Sequence, residues 1–160
     1  MTQAALDYLQ IPLIQTGETT QQVVTAAITG DTGWSMPTAS RTVQVAFGAE
    51  YREEDYADIY DAQSAAGNVG GSSGNSSFGQ RTLRSVFGEW ILPITSNFEL
   101  DVAARYDDYS DFGSSVSPKL SMRFQPLDSL TLRASIGEGF RAPPLYIINQ
   151  QDAFSADSVV

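Results

Sequence analysis

One pattern constrains this chain more than any other: apolar and polar residues alternate with a period of two in one segment after another. The pattern is clearest in Thr42–Arg52, Phe98–Asp107, Val116–Gln125 and Leu130–Gly137. Successive side chains of a β-strand point to opposite faces of the sheet, so this alternation predicts strands with one apolar and one polar face. The first stretch shows the pattern on its apolar side, which holds Val43, Val45, Phe47, Ala49 and Tyr51.

Two further segments complete the predicted set of strands. Gln22–Thr29 is rich in β-branched residues, which favour strands. Arg81–Pro93 resumes the strand pattern. In that segment we expect one face to hold Val86, Gly88, Trp90 and Leu92, and the other to hold Phe87, Glu89 and Ile91.

The connections between the predicted strands differ in length. Trp34–Ser40, Ile94–Asn97 and Pro126–Ser129 are short, whereas Ala57–Gln80 is long and carries the run SAAGNVGGSSGNSS. A stretch of this composition buries too little apolar surface to offset its ordering entropy, so we expect a mobile surface loop. The predicted fold is all-β, an antiparallel up-and-down meander of about six long strands.

The chain divides into three predicted parts. Residues 1–21 form an irregular or short helical lead-in, with a helical stripe at Ala4–Ile14 as one interpretation. Residues 22–142 carry the strands, with a long loop at about 57–80, and residues 143–160 begin a further loop that is left incomplete. The last boundary follows from Pro143–Pro144, because a proline pair cannot continue a strand ladder.

Composition excludes several classes of function. The chain has 9 basic and 19 acidic residues, a net charge of −10, which argues against nucleic acid as a partner. It has neither cysteine nor histidine, which excludes disulfides, zinc sites of the usual kind and histidine-based catalysis. There is no run of about 18 apolar residues, and the N-terminus lacks the features of a signal peptide.

The alternating pattern fits two environments, a soluble sheet packed on a second sheet and a barrel wall in a membrane. Three features favour the membrane: strands of about 10 residues, aromatic residues at strand ends, and charges of both signs in the middle of the polar faces. A soluble β-sandwich or adhesin-like binding module stays open as the alternative. The aromatic residues in question are Tyr51, Tyr56, Tyr60, Tyr106, Tyr109, Phe112 and Phe140 at the long-loop end, and Trp90 and Phe98 near the short turns.

Other motifs favour structural over chemical roles. Asp107, Asp108 and Asp111 have oxygen ligands at a spacing that suits calcium, but a solvated acidic turn is the preferred interpretation. Glu99 and Asp101 lie two apart on one strand face, which does not predict a glycosidase. We therefore expect no catalytic activity, cofactor or metal.

The segment Ser117–Leu145, SPKLSMRFQPLDSLTLRASIGEGFRAPPL, resembles the barrel strands of TonB-dependent outer-membrane receptors, with GFRAP as its most specific part. Two further stretches are similar to the same family in order and spacing, VAFGAEYREEDY and VFGEWILPI followed by FELDVAARYDDYSDFGSSVSPK. ITGDTGW fits the strand before them. The resemblance covers residues 22–146.

The resemblance implies a transporter of the outer membrane of a Gram-negative bacterium. Family members hold a plug inside a barrel of about 22 strands and couple uptake of a scarce ligand to an inner-membrane energy complex through a TonB box. No plug or TonB box is recognisable in this sequence, so the chain is expected to be a partial transmembrane β-barrel. The implied partners are outer-membrane lipid, the TonB complex through a segment outside this sequence, and a small ligand such as an iron–siderophore complex or cobalamin.

The resemblance also implies a lumen wall built from the polar faces of the strands. Arg141 lies at the end of this wall. Contact with an anionic ligand or a plug residue is one interpretation of it, and a pair with a neighbouring carboxylate is the interpretation that we prefer. The candidate residues facing the lumen or the ligand path are Glu50, Arg52, Glu99, Asp101, Arg105, Lys119, Arg123, Arg133 and Arg141.

Overall fold

The computed structural model of the chain describes residues 12–69 and 74–150. These residues form six strands and two short helices. The strands are β1 Gln15–Asp31, β2 Gln44–Tyr60, β3 Ser77–Pro93, β4 Phe98–Tyr109, β5 Gly113–Leu127 and β6 Leu130–Gly137. The helices are α1 Ala62–Ala65 and α2 Leu145–Ile148.

The strands form a single antiparallel sheet in the order β1-β2-β3-β4-β5-β6. Each strand is bonded to its neighbour in sequence, which confirms the predicted up-and-down meander. Among the described residues β1 and β6 are not bonded to each other, so this sheet is open, as a part of a barrel would be. The described strands form one sheet rather than two, and a sandwich interpretation would need a second sheet.

Several strand ends differ from the predicted ones. β1 begins at Gln15 rather than Gln22, and β2 continues to Tyr60 through the acidic and aromatic residues where the alternation weakens. β3 already begins at Ser77, inside the Gly/Ser/Asn-rich run, so the connection between β2 and β3 is shorter than the predicted loop at 57–80. Pairing with neighbouring strands therefore overrides local composition at these ends.

The strand before the proline pair also ends earlier than expected. β6 stops at Gly137, whereas the sequence predicted continuation to Ala142. The amide of Glu138 still donates to the Pro118 carbonyl at 2.9 Å, and beyond it the chain leaves the ladder. Phe140 then packs on aromatic residues of the β4–β5 turn instead of extending β6.

Some predictions concern residues that the structure does not describe. The helical stripe at Ala4–Ile14 lies almost entirely outside the described residues, as do most of the loop at 143–160 and part of the Gly/Ser/Asn run. The division into a lead-in, barrel strands and outer loops remains a prediction.

The chain contains two compact units. Unit 1 comprises residues 1–20, 54–80 and 143–160, and unit 2 comprises residues 21–53 and 81–142. Unit 2 carries most of the sheet, with Val43, Leu83 and Ala142 as its buried apolar residues. Its β4–β5 turn contains Gly113 at φ 90°, a conformation that residues with a Cβ rarely adopt.

The apolar face of unit 2 lies open to its surroundings rather than against another layer of the described protein. Cα partners place Trp90, Val102 and Leu120 in one row across β3, β4 and β5. A soluble monomer rarely exposes so continuous an apolar face. Large apolar residues exposed on this face include Phe47, Val86, Trp90, Val102, Tyr106, Val116, Leu120, Met122, Leu132 and Ile136.

In unit 1, Asp61 caps the short helix α1. Its carboxylate accepts hydrogen bonds from the amides of Gln63 at 2.9 Å and Ser64 at 3.0 Å, from the Ser64 hydroxyl at 2.8 Å, and from the amide of Ile14 at 3.1 Å. The bond from the Ser64 amide is the main reason why the pKa of Asp61 is lowered. Asp61 thus joins the approach to β1 to the start of α1.

This cap predicts a pH-dependent opening of α1. Because the pKa of Asp61 is lowered in the folded chain, the cap stabilises α1 fully above the ordinary carboxyl pKa of about 3.9, and the effect is lost as the pH falls through the lower folded value. Hydrogen-exchange protection of the Gln63 and Ser64 amides should decrease across that acidic range. D61A, which removes the accepting side chain, should give weak protection at every pH. Equal pH profiles for the two proteins would contradict the cap.

Candidate functional site

The polar face of unit 2 is assembled by the register of its last four strands. Cα partners pair Glu99 with Arg123 across β4 and β5, and Arg123 with Arg133 across β5 and β6. Cross-strand partners have side chains on the same face, so these three charges line one face. Because side chains alternate along each strand, the same face holds Ser85, Glu89, Asp101, Arg105, Asp107 and Lys119.

The register also confirms the two faces predicted for the segment at 81–93. Trp90 is the partner of Val102 on the apolar face, and Phe87 is the partner of Arg105 on the polar face. The polar and apolar residues of β3 are therefore sorted as the alternation predicted.

Arg105 is the centre of a network that joins β2, β3 and β4. Its Nε donates to Asp107 Oδ1 at 2.7 Å, and its terminal nitrogen donates to Ser85 Oγ at 2.9 Å and lies 3.5 Å from Glu50 Oε2. Arg52 donates to the other oxygen of Glu50 at 2.6 Å, and the Ser85 hydroxyl donates to Asp107 at 2.5 Å. Two predicted candidates, Glu50 and Arg105, are thus in direct contact, and Arg52 joins them through Glu50.

An aromatic ring and a glycine shape the space around this network. The Arg105 guanidinium lies 5.8 Å from the centre of the Phe87 ring, within range of a cation–π contact. Gly48 on β2 faces the same ring, and a Cβ at that position would overlap it. Glycine at 48 therefore lets Phe87 lie flat across the strand.

A second cluster, the Arg81 cluster, lies where β4 turns into β5, and it consists of Arg81, Tyr109, Asp111, Phe112 and Phe140. Arg81 donates to both oxygens of Asp111 at 2.8–2.9 Å, and its side chain is only 4% exposed. The guanidinium lies 5.5 Å from the centre of the Tyr109 ring. Phe140 packs against Tyr109 and Phe112, with ring centres 5.8 Å and 5.5 Å apart. The GFRAP segment is thereby held to the β4–β5 turn.

The Arg81 cluster bears on two expectations. Arg141 is exposed and forms no ion pair with any residue that the structure describes, and the carboxylate partner expected for it stays a prediction. The arginine that holds the acidic turn is Arg81 instead. Asp107 and Asp111, weighed above as calcium ligands, are bound by Arg105 and Arg81 respectively.

The short-turn end of the polar face holds the remaining candidates. Glu99 forms an ion pair with Arg41, which precedes β2, and Lys119 lies 3.9 Å from Asp101. A groove of about 390 Å³ opens there. It is lined by Glu99, Asp101, Lys119, Ser121, Met122, Arg123, Arg133, Ala134 and Ser135.

Unit 1 has a cavity of its own, about 680 Å³ in volume. Its lining includes the carboxylates of Glu18 and Asp55, the rings of Tyr56 and Phe78, and the amide of Asn149. No lysine or arginine is part of this lining, in contrast to the groove of unit 2.

Among residues 12–69 and 74–150, no helix has the length and apolarity that crossing a bilayer requires.

Comparison with known families decides between the two environments that the alternation left open. The family model described as "TonB dependent receptor-like, beta-barrel" matches residues 3–157. The chain belongs to this family. No curated protein and no solved structure matches it.

Membership in this family explains why one face of the sheet is apolar and the other is polar. TonB-dependent receptors are transport receptors of the outer membrane rather than enzymes, and their β-barrel domain is the part matched here. The resemblance carried by GFRAP and by the segments around it is therefore confirmed. In a barrel of this kind the apolar face meets lipid and the polar face lines the lumen.

Several residues of this receptor's polar face were not among the candidates chosen from sequence. Ser85, Arg81 and Asp111 are examples, and each lies in or beside a segment that was predicted correctly as strand or turn. Strand parity would have placed Ser85 on the polar face. The Arg81–Asp111 pair joins residues 30 positions apart, and no local pattern marks it.

The Arg105 network gives a testable stability prediction. R105M leaves the carboxylates of Glu50 and Asp107 without their shared partner, and hydrogen bonds to charged groups are worth about 1.5–3 kcal/mol. We expect the free energy of unfolding of the receptor in detergent to fall by about that amount in urea titrations. R123M is the matched control, since Arg123 donates to Gln125 but forms no ion pair in the described part of the chain. Equal losses for the two variants would contradict the network.

Proposed function

We propose that this protein forms a barrel wall of a receptor in the outer membrane. The receptor would take up a scarce ligand, such as an iron–siderophore complex or cobalamin, by energy-coupled transport. The observation that carries the proposal is the division of one sheet into an open apolar face and a charged polar face. Membership in the TonB-dependent receptor family supports the same role. In this proposal the barrel wall acts in ligand binding and gating, not in catalysis.

The polar face supplies the ligand path in this proposal. Its charges are held in place by the Arg105 network and by the Arg41–Glu99 and Lys119–Asp101 pairs. Fixed charges of both signs attract polar solutes, and each contact is weak enough for the solute to dissociate again. The residues assigned to this path are Glu50, Arg52, Glu99, Asp101, Arg105, Lys119, Arg123, Arg133 and Arg141.

The partners in this proposal follow from the two faces and from the family. Outer-membrane lipid contacts the apolar face, because a charge-free face is what the hydrocarbon region requires. The TonB energy-transducing complex acts through a part of the receptor outside this sequence, and a small ligand such as a metal chelate passes along the polar face.

Cellular uptake tests the proposal. In the native host, deletion of the gene should abolish energy-dependent accumulation of one radiolabelled ligand from a panel of iron–siderophore complexes and cobalamin. Deletion of the TonB gene should give the same loss, and restoring the receptor gene should reverse the first deletion only. The full-length protein should partition into the detergent phase after refolding. Partition into the aqueous phase, or uptake that is unchanged in both deletions, would overturn the proposal.

A further inference from the structure

Two arginines face each other directly on the polar face of unit 2. Arg123 on β5 and Arg133 on β6 are Cα partners in the antiparallel ladder. Like charges directly opposite each other destabilise a sheet, so this pair needs a compensating negative charge. Among the described residues, the side chain of Arg133 has no hydrogen bond or ion pair, and the side chain of Arg123 donates only to the neutral Gln125, at 2.6 Å.

The side chains beside this pair are donors. Ser121 and Ser135 are the next Cα partners along the same two strands and on the same face, and Lys119 follows on β5. Neither serine hydroxyl makes a hydrogen bond within the residues that the structure describes. Two guanidinium groups, two hydroxyls and an ammonium therefore line one side of the groove.

The carboxylates of the groove are fewer than its cations. Glu99, the β4 partner of Arg123, forms an ion pair with Arg41, and Asp101 lies 3.9 Å from Lys119 with its other oxygen unbonded among the described residues. The lining holds three cations, Lys119, Arg123 and Arg133, against these two carboxylates. Positive charge is therefore in excess in the groove, and the facing arginines lie on its β5–β6 side.

We propose that Arg123, Arg133, Ser121 and Ser135 form a subsite for the oxyanion group of a small solute, a carboxylate or a phosphate. Two guanidinium forks bind such a group through charge-assisted hydrogen bonds, and the serine hydroxyls donate to its remaining oxygens. The groove volume of about 390 Å³ suits a small molecule. The inference rests on the proposed function only in taking this face as the ligand path.

Chemical protection of arginine tests the subsite. The full-length protein in detergent is treated with phenylglyoxal, which modifies accessible guanidinium groups, and the rate at each arginine is followed by mass spectrometry. Inorganic phosphate and citrate are the two probes, and they distinguish a phosphate from a carboxylate group. Arg84, which is exposed and lies outside both the groove and the proposed ligand path, is the internal control.

The expected result is selective protection. At a probe concentration about ten times its dissociation constant, modification of Arg123 and Arg133 should slow about tenfold, while modification of Arg84 is unaffected. R123M should reduce the protection of Arg133, and R133K should retain part of the protection of Arg123. Protection of Arg84 equal to that of Arg123 and Arg133 would overturn the subsite. Unreactive Arg123 and Arg133 without any probe would also overturn it, because an acidic group of the protein would then occupy the groove. Neither readout depends on uptake, so failure of the subsite and failure of the proposed function are distinguishable.

Discussion

Replacing Val102 with arginine is expected to destabilise the protein in a lipid bilayer by about 2–4 kcal/mol. Val102 lies in the middle of β4, between its Cα partners Trp90 and Leu120 on the apolar face. A guanidinium there would have to enter hydrocarbon without a partner, since the surrounding side chains are apolar. The measurement is the free energy of unfolding in urea for the full-length protein folded into lipid vesicles.

The neighbouring residue provides a matched control. Ala103 lies on the same strand but on the polar face, with Glu89 and Lys119 as its Cα partners. A103R adds the same side chain beside charges of both signs, and we expect it to change the free energy of unfolding by less than about 1 kcal/mol. Equal costs for V102R and A103R would contradict the assignment of the two faces.

The second large effect is expected at the Arg81 cluster. D111A removes the carboxylate that accepts hydrogen bonds from Arg81, whose side chain is only 4% exposed, and so breaks this buried ion pair. Breaking one side of a buried ion pair costs about 3–5 kcal/mol, so the free energy of unfolding should fall by an amount of this order. Loosening of the β4–β5 turn and of Phe140 should follow, visible as faster hydrogen exchange at Ser110.

Two further variants isolate the ion pair. D108A removes an exposed carboxylate from the same end of β4 and should have little effect. The double variant R81M/D111L replaces both charges by apolar groups and should recover much of the lost stability, since no buried charge is then left unpaired. A loss in D111A no larger than that in D108A would show that the pair does not hold the turn.

The faces of the strands could be predicted from sequence, and the ends of the strands could not. Period-two alternation reports which residues share a face, and the observed partners of Phe87 and Trp90 follow it. Strand ends depend on pairing with neighbours, which local composition does not encode. β3 therefore begins at Ser77 within a run that composition assigns to a loop, and β6 leaves the ladder at Gly137 because Phe140 has aromatic partners elsewhere.

The candidate site was predictable to the same degree. The alternation of side chains along each strand predicted Glu99, Arg105 and Lys119 on the polar face, and the observed register places them there. The partners of individual charges were beyond prediction, because they come from different strands: Arg41 reaches Glu99 from the connection before β2, and Arg81 reaches Asp111 across the β4–β5 turn.

The most direct measurement of the central claim is the accessibility of each face in a bilayer. The chain has no cysteine, so single cysteines carrying nitroxide spin labels are placed at Val102 and Leu120 on one face and at Ala103 and Ser121 on the other. In lipid vesicles, labels at Val102 and Leu120 should collide with dissolved oxygen and be shielded from a water-soluble nickel chelate. Labels at Ala103 and Ser121 should show the reverse. Equal access of the nickel chelate to all four positions would contradict a barrel wall with one face in lipid.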